Sequence, residues 1–258
     1  MILRPAVLAL LAFMTLPTVV VIAVSFNPTA ILSFPPAGFS WRWYVNVLTY
    51  PQFQRAAWNS LVVTGGAVAL ALPIGTLAAL ALERARLRGR SLWAAALLSP
   101  LVVPGVAAGL GFLILAAALG LLRSRLVLIA AHVTLVLPFV VRSVWVSVRN
   151  LDPALERAAA SLGASPPRVF FRVALPLLRP GLFAALLFAV VVSVNEFVVS
   201  LFLSNRVTEI LPVAMFTYVV NYTDPTIAAL SSLFIAATFL VIWLADRFLD
   251  LGRVFLQH

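Results

Sequence analysis

The chain has 258 residues, of which 63% are apolar and only 10% are charged, and its mean hydropathy is +1.10. A typical soluble domain carries roughly 25% charged residues. No compact soluble fold has enough interior for this much apolar surface, so the composition excludes a water-soluble enzyme and makes lipid the solvent for most of the chain. Because cysteine is absent and the two histidines are His132 and His258, no metal site is expected either.

The net charge of +10 comes from 18 arginines, with no lysine, against eight acidic residues. A sequence pI near 11.6 would suggest nucleic acid as the partner of a soluble protein. In a chain this apolar, arginines beside membrane spans act as topology signals instead. We therefore expect the partner to be a lipid membrane and no nucleic acid to bind.

Long stretches without Asp, Glu, Lys or Arg predict the membrane spans, because a spanning helix needs about 20 apolar residues. They predict an all-α polytopic membrane protein with a single transmembrane domain over residues 1–258. The six predicted helices cover 6–25, 58–82, 92–120, 126–147, 181–203 and 226–246. The first stretch also fits a secretory signal, with Arg4 before it and Ala23-Val24-Ser25 as a cleavage-like site. We expect it to be retained, because its apolar run is longer than a usual signal core.

Arginine counts in alternate loops orient the predicted spans. Thirteen arginines fall on the side of the two termini and five on the other, which predicts cytoplasmic termini. The outer segment 26–57 is rich in aromatic residues, and we expect a short helix near 41–48 to lie along the outer interface. That segment is interpreted as a membrane anchor, with a direct grip on substrate as the alternative.

Glycine and proline interrupt the second, third and fourth spans. Gly105-x-x-x-Gly109 permits close approach of two helices, either within this chain or at an oligomer seam. A proline removes a backbone donor, so kinks or unwound turns are expected at four positions: Pro73, Pro100, Pro104 and Pro138. In transporters such breaks often border the translocation path.

A polar group in the fifth span is the predicted substrate path. Glu196 is the only acid deep within a predicted span, and Ser193, Asn195 and Ser200 surround it in the sequence. A carboxylate in lipid costs roughly 2.5–3.5 kcal/mol, so Glu196 should face the interior of the bundle or a water-filled cavity. Two roles remain open at this point. Glu196 is either a hydrogen-bonding strut, for example to His132, or a contact for a cationic substrate.

The cytoplasmic segment 148–180, between the fourth and fifth spans, has the pattern of a helix pair. Asp152 is a favourable N-cap, Pro153 suits the first helical position and Gly163 suits the C-terminal stop. A second short helix is expected to begin at Ser165-Pro166 and to end at Leu175-Pro176. The apolar positions of the two helices are Leu155, Ala158, Ala159, Leu162, Val169, Phe170 and Val173. Such an amphipathic pair either enters a groove of a partner protein or lies on the lipid surface.

This segment resembles the "EAA" loop of the permease subunits of ABC importers. Ala158-Ala159, Gly163 and Val173-Ala174-Leu175-Pro176 stand in the register of that motif. The motif's acid falls on Arg157 here, while Glu156 lies one residue earlier, about 100° around the helix. The resemblance covers most of the chain. Further matches are similar to the spermidine/putrescine-type branch: Gly38-Phe39, Trp43-Tyr44, Asn59-Ser60-Leu61, Ser99-Pro100, Leu137-Pro138-Phe139 and Asp224-Pro225-Thr226.

The resemblance implies a permease subunit in a bacterial-type inner membrane, working with a second homologous permease, an ATPase dimer and an outer solute-binding protein. A Walker motif needs a lysine, which this chain lacks, so we expect no enzyme activity here and ATP and Mg²⁺ only on the ATPase. The residues implied for ATPase coupling are Glu156, Arg157, Ala158, Ala159, Leu162, Gly163, Phe170, Leu175 and Pro176.

Substrate and mechanism retain alternatives at this stage. The resemblance and a buried carboxylate favour a polyamine or a related amine. That branch often has two adjacent acids where this chain has Asn195-Glu196, which leaves a less highly charged amine or another small organic solute open. An ion-coupled secondary transporter of a small cation could use Glu196 and His132, but it leaves the 148–180 loop unexplained. A membrane scaffold without transport activity leaves the buried acid unexplained.

Overall fold

The computed structural model describes residues 3–85, 87–122 and 124–249, and all the regular structure in these ranges is helical. Three of the arginines counted above, Arg86, Arg123 and Arg253, lie outside these ranges, as does His258. The α-helices are α1 Leu3–Val24, α2 Arg42–Thr49, α3 Pro51–Arg84, α4 Arg90–Leu98, α5 Gly105–Ala118, α6 Arg125–Arg149, α7 Pro153–Ser161, α8 Pro166–Val169, α9 Leu175–Leu177, α10 Arg179–Val194, α11 Val198–Leu203, α12 Leu211–Asn221 and α13 Thr226–Leu249.

Three predicted spans, at 6–25, 58–82 and 126–147, correspond to α1, α3 and α6, which are long and apolar enough to cross a membrane. The predicted interfacial helix near 41–48 is α2. Two bent helix pairs raise the number of possible spans to five in the described part of the chain, so the predicted number of six stays a prediction.

The predicted span 92–120 is not one straight helix, which confirms the break expected at Pro100 and Pro104. The segments Arg90–Leu101 and Gly105–Ala118 meet at an angle of 97°. The last turn before the bend, Ser99–Leu101, is a 3₁₀-helix, and Pro104 precedes α5 with an extended ψ of 133°. The two prolines explain the bend, because Pro100 and Pro104 both lack the N–H that would continue an α-helix across it.

The predicted helix 181–203 is also interrupted. The helix α10 ends at Val194, Asn195 is its C-cap, and α11 begins only at Val198. The sequence analysis also missed α12, an 11-residue apolar helix. Both differences have the same origin. An apolar run records burial or contact with lipid, but it does not record where the chain turns inside that environment.

Unwound turns are not observed at Pro73 and Pro138, since α3 and α6 run continuously through them, and kinks at these prolines stay a prediction. A Cβ built on Gly75 would lie 2.6 Å from Val140 Cγ1, so the two helices touch next to both prolines. The two helices are therefore in close contact where each lacks one backbone hydrogen bond.

The chain forms two compact units, Met1–Trp58 with Glu209–Val241 (the first unit) and Asn59–Thr208 with Ile242–His258 (the second unit). In the first unit, aromatic and small residues form a core with α12 and the start of α13: Trp43, Val47, Phe53, Ala56, Ala214, Tyr218, Ala229 and Leu230. Asn27 organises the loop before α2, because its backbone carbonyl accepts a 2.6 Å hydrogen bond from Trp43 Nε1.

In the second unit, α6 and α10 pack along most of their lengths around valines and alanines. Gly181 permits the closest approach, since a Cβ there would lie 2.0 Å from Ser147 Oγ. The predicted Gly105/Gly109 stripe packs within the chain. A Cβ on Gly109 would come within 2.6 Å of the Phe202 ring on α11. These close contacts fix the positions of α10 on α6 and of α11 on α5.

Candidate functional site: the 148–180 loop and the polar residues of the second unit

The first loop helix, α7, begins where the sequence predicts. The Asp152 carboxylate accepts a 2.8 Å hydrogen bond from the Ala154 N–H, and Pro153 occupies the first helical position, where no N–H is needed. An N-cap of this kind contributes about 1 kcal/mol to a helix. It defines the start of a nine-residue helix that is too short to be stable on its own.

The same helix ends at Gly163 in a left-handed turn, also as predicted. Gly163 has φ +84°, its N–H donates to the Ala160 carbonyl at 2.9 Å, and the Ala164 N–H donates to the Ala159 carbonyl at 3.1 Å. These two bonds are those of the Schellman motif, in which glycine avoids the strain of positive φ. The turn directs the chain into the second half of the loop.

The apolar face of α7 is only partly covered in the described structure, and least so at its C-terminal end. Leu162 is 89% exposed and Leu155 is 49% exposed. Arg157 and Ala158 are exposed beside them, and Ala159 is half-buried. A capped helix that leaves its leucines exposed is suited to a groove in a partner protein.

The second half of the loop is anchored inward. Val169, Ala174 and Leu178 are buried, and Phe170 and Leu175 line an apolar groove of about 440 Å³. The remaining lining residues of the groove are Leu72, Pro73, Thr76, Leu77, Leu182, Phe183 and Leu186. Two of the predicted coupling residues therefore face the spans rather than the outer surface of the loop.

The second loop helix ends within one residue of the predicted end at Leu175-Pro176. The helical path continues to Leu177, with a π-helical turn at Phe170–Ala174, and meets α10 at an angle of 66°. A π turn leaves a carbonyl without its usual donor, so Pro176, which has no N–H, is tolerated just beyond it. The loop thus leads almost directly into the transmembrane helix α10.

An ion pair joins the first loop helix to the end of α3. The Arg84 guanidinium donates to the Glu156 carboxylate, and both side chains are partly exposed. Next to it, Glu83 pairs with Arg90 and accepts a 2.6 Å hydrogen bond from Trp145 Nε1. Sequence reasoning missed these contacts because it read the arginines at 84–90 as topology signals only. The two acids that partner them, Glu83 and Glu156, were the available clue.

The polar residues predicted for the substrate path separate into two groups. Ser193 and Ser200 are buried and hold the buried ring of His132, with 2.8 Å from Nδ1 to Ser193 Oγ and 2.9 Å from Nε2 to Ser200 Oγ. Ser193 Oγ donates to Thr64 Oγ1 at 3.0 Å. Its hydroxyl therefore accepts from Nδ1–H, and Nε2 accepts from the Ser200 hydroxyl. This cluster is an internal hydrogen-bond network that sequence spacing could not reveal.

Asn195 and Glu196 occupy the turn between α10 and α11. The Glu196 Oε1 atom accepts a 2.7 Å hydrogen bond from the Val199 N–H, and the Asn195 side chain donates to the Val191 carbonyl at 2.8 Å. Asn195 is exposed and Glu196 is partly buried. Both ring nitrogens of His132 are taken by the serines, so the strut to His132 considered for Glu196 does not form.

Comparisons with known proteins identify the family of this chain. The family model for the inner membrane component of binding-protein-dependent transport systems matches residues 71–250. The chain belongs to this family. It is 34% identical over 240 residues to the putrescine transport system permease protein PotI of Escherichia coli (strain K12), covering 90% of this chain and 85% of that protein. It is 30% identical over 236 residues to the spermidine/putrescine transport system permease protein PotC of Haemophilus influenzae, covering 91% of each.

Solved structures share the fold. The structure of a bacterial ABC transporter involved in the import of the acidic polysaccharide alginate has a TM-score of 0.74, with 18% identity over 96% of this chain and 95% of that one. A second structure, of an alginate ABC transporter in complex with an alginate pentasaccharide-bound periplasmic protein, also has a TM-score of 0.74, at 17% identity over 95% and 91%. Family membership favours the importer permease over the ion-coupled transporter.

Proposed function

We propose that this chain is one of two permease subunits of an ATP-driven importer that moves a small organic amine, of the polyamine class, from an outer solute-binding protein to the cytoplasm. The observation that carries the proposal is the partly uncovered apolar face of α7, with Leu162 89% exposed between two well-defined caps. We assign that face to a separate ATPase subunit, which binds ATP and Mg²⁺. The arginine distribution supports a cytoplasmic position for it.

The geometry of the second unit supports a path for coupling. Capping at both ends and the ion pair to Arg84 hold α7 as a rigid element on the end of α3. The buried residues Ala174 and Leu178 anchor the loop immediately before α10. A partner that binds one position of α7 more tightly than another would therefore shift α10 as well.

The far end of α10 carries the residues that we assign to substrate. The 16 residues of α10 span about 24 Å at 1.5 Å per residue, with the loop at one end and Asn195-Glu196 at the other. The Glu196 carboxylate is suited to an ammonium group, and similarity to PotI and PotC supports an amine as the transported solute. Ser193 and Ser200 belong to this path as supports, since they hold His132 beneath the turn.

Uptake of radiolabelled putrescine by the reconstituted complex tests the proposal. We expect uptake that requires ATP and the solute-binding protein and that persists when ion gradients are dissipated. The Glu196→Gln variant keeps an acceptor for the Val199 N–H but removes the charge, so it should slow uptake while basal ATP hydrolysis is retained. Glu196→Ala serves as the comparison, because it also removes the acceptor of the Val199 N–H and should lower thermal stability.

Two results would contradict these assignments. Uptake that follows an ion gradient without ATP would overturn the importer. Normal putrescine uptake by Glu196→Gln would overturn the substrate contact at Glu196 and leave the coupling assignment in place.

A further inference from the structure

The first unit contains a polar cleft that plays no part in the proposed coupling path. Its volume is about 300 Å³, at the lower end of the range for small-molecule sites. It is lined by Tyr50, Gln52, Thr217, Tyr218, Asn221 and Tyr222. These residues come from the start of α3 and from α12 and its C-cap, which the core of the first unit holds together.

Aromatic rings form one wall of the cleft. The Tyr218 ring lies 4.7 Å from the Tyr222 ring and 5.6 Å from the Tyr50 ring, centroid to centroid. Tyr218 is buried, whereas Tyr222 is half exposed and presents its ring to solvent. The faces of such rings carry negative electrostatic potential and attract ammonium and guanidinium groups.

Two carboxylates orient the lining from behind. Asp224 accepts hydrogen bonds from Tyr218 Oη at 2.9 and 3.2 Å. Glu209 accepts from Gln52 Nε2 at 2.8 Å and from Thr217 Oγ1 at 3.2 Å. Among the described residues, Asp224 lies in no ion pair with an arginine. The cleft is therefore backed by negative charge.

The hydrogen bonds also decide what the cleft offers to a ligand. Gln52, Thr217 and Tyr218 donate to the two carboxylates, and Asn221 Nδ2 donates to the Thr217 carbonyl at 2.6 Å. The Gln52 and Asn221 amide oxygens and the aromatic faces remain as acceptors for a ligand, beside the second N–H of each amide. A lining of this kind is complementary to a cation with several N–H donors.

The titration of Tyr50 agrees with this arrangement. The pKa of the Tyr50 hydroxyl is raised, most of all by burial. Its hydrogen bond to Tyr222 and the negative charges of Tyr222 and Glu209 raise it further. The field of the Glu209 carboxylate therefore reaches the rings that line the cleft.

We propose that this cleft binds the ammonium group of a small aliphatic amine, at a site separate from Glu196. The substrate class rests on the proposed function, while the cation preference rests on the aromatic rings and on the Asp224 carboxylate. The volume suits a short diamine rather than an oligosaccharide. Tyr222 and Tyr218 supply the aromatic contact, and Asp224 supplies the compensating charge.

The test measures binding of 1,4-diaminobutane to the purified permease–ATPase complex in lipid nanodiscs, without the solute-binding protein, by isothermal titration calorimetry. All variants carry Glu196→Gln, so that only the cleft contributes. 1,4-Butanediol, of the same length but neutral, is the ligand control. We expect saturable binding of the diamine and none of the diol.

Two substitutions should weaken that binding by about tenfold each. Tyr222→Leu removes the ring face, and Asp224→Asn removes the charge but keeps an acceptor for the Thr226 N–H. Tyr222→Phe keeps the ring and should bind within about threefold of the parent. Glu83→Gln, a carboxylate removed in the second unit, should leave the affinity unchanged. Thermal unfolding of each complex checks that the fold is retained.

Equal affinity in the parent, Tyr222→Leu and Asp224→Asn complexes, or no binding in the Glu196→Gln parent, would overturn the cleft site. Weaker docking of the solute-binding protein without any effect on diamine binding would also overturn it, because the cleft would then take a basic side chain of that protein. A failure of ATP-dependent amine uptake by the wild-type complex would refute the proposed function instead. The two failures are thus distinguishable.

Discussion

Leu162 offers the sharpest test of the loop as a docking element. It lies at the C-cap of α7, its side chain is 89% exposed, and the helix beneath it is capped at both ends. Almost all of its apolar surface is therefore available to a partner, and little of it stabilises the permease itself. Truncating it should weaken the complex without unfolding the subunit.

The expected size follows from that exposure. Leu162→Ala removes three carbon atoms, and each buried methylene is worth about 0.8 kcal/mol, so complete burial in a partner predicts a loss of about 2 kcal/mol. Since 1.4 kcal/mol corresponds to a tenfold change, affinity for the ATPase should fall by about 30-fold. The matching change at Leu155, which is 49% exposed, should cost about half as much free energy.

The assay is titration of the purified ATPase subunit onto detergent-solubilised permease, with thermal stability measured in parallel. Leu126→Ala is the matched control. It deletes the same atoms from a leucine that is 69% exposed at the start of α6, on the opposite side of the predicted membrane orientation. An affinity equal to that of wild type for Leu162→Ala would refute the docking surface. A fall in thermal stability would show that Leu162 is a structural residue of the permease.

Three further predictions concern the turn that ends α7, the ion pair that joins α7 to α3, and the packing of α10 on α6. A proline at position 163 cannot adopt φ +84° and lacks the N–H that bonds to the Ala160 carbonyl. In the Gly163→Pro variant, ATPase retention in a pull-down should therefore fall while membrane insertion is unchanged. Full retention would contradict the role of the turn. Either single charge reversal, Arg84→Glu or Glu156→Arg, should lower stability, and combining the two should restore it. A double-mutant cycle should give a coupling energy of about 0.5 kcal/mol for this partly exposed pair, and a coupling energy of zero would refute the ion pair as a support of α7. Gly181→Ala should destabilise the complex by about 1–3 kcal/mol in thermal unfolding, because its Cβ would overlap the Ser147 side chain, and Ser147→Gly should recover part of that loss.

The features that sequence predicted well are those set by neighbouring residues. The Asp152 cap, the Gly163 stop and the short helix α2 depend on residues within one turn, so their side chains determine the backbone directly. The register of the loop motif is equally local. These signals placed the surface of α7 before any tertiary contact was known.

The features that sequence missed depend on contacts between distant segments. His132 meets Ser193 and Ser200 across more than 60 residues, and Trp145 meets Glu83 across 62. Periodicity shows that such side chains are unusual in an apolar helix, but their partners follow from helix packing. The bend of 97° between Arg90–Leu101 and Gly105–Ala118 is different, because Pro100 and Pro104 lie at it and the sequence already predicts a break there.

Arg157 stands where the loop motif has an acid, and the structure explains where that charge has gone. Sequence alone identified an acid displaced by one residue from its place in the motif. The structure shows that the displaced acid, Glu156, binds Arg84 within the same chain, while Arg157 is exposed. Because Glu156 is committed to this internal contact, Arg157 is the exposed charge that the helix presents beyond its Asp152 cap. An ATPase matched to this permease should therefore offer acidic side chains or backbone carbonyls beside the groove that receives Leu162, since an unpaired charge buried at such an interface is strongly destabilising.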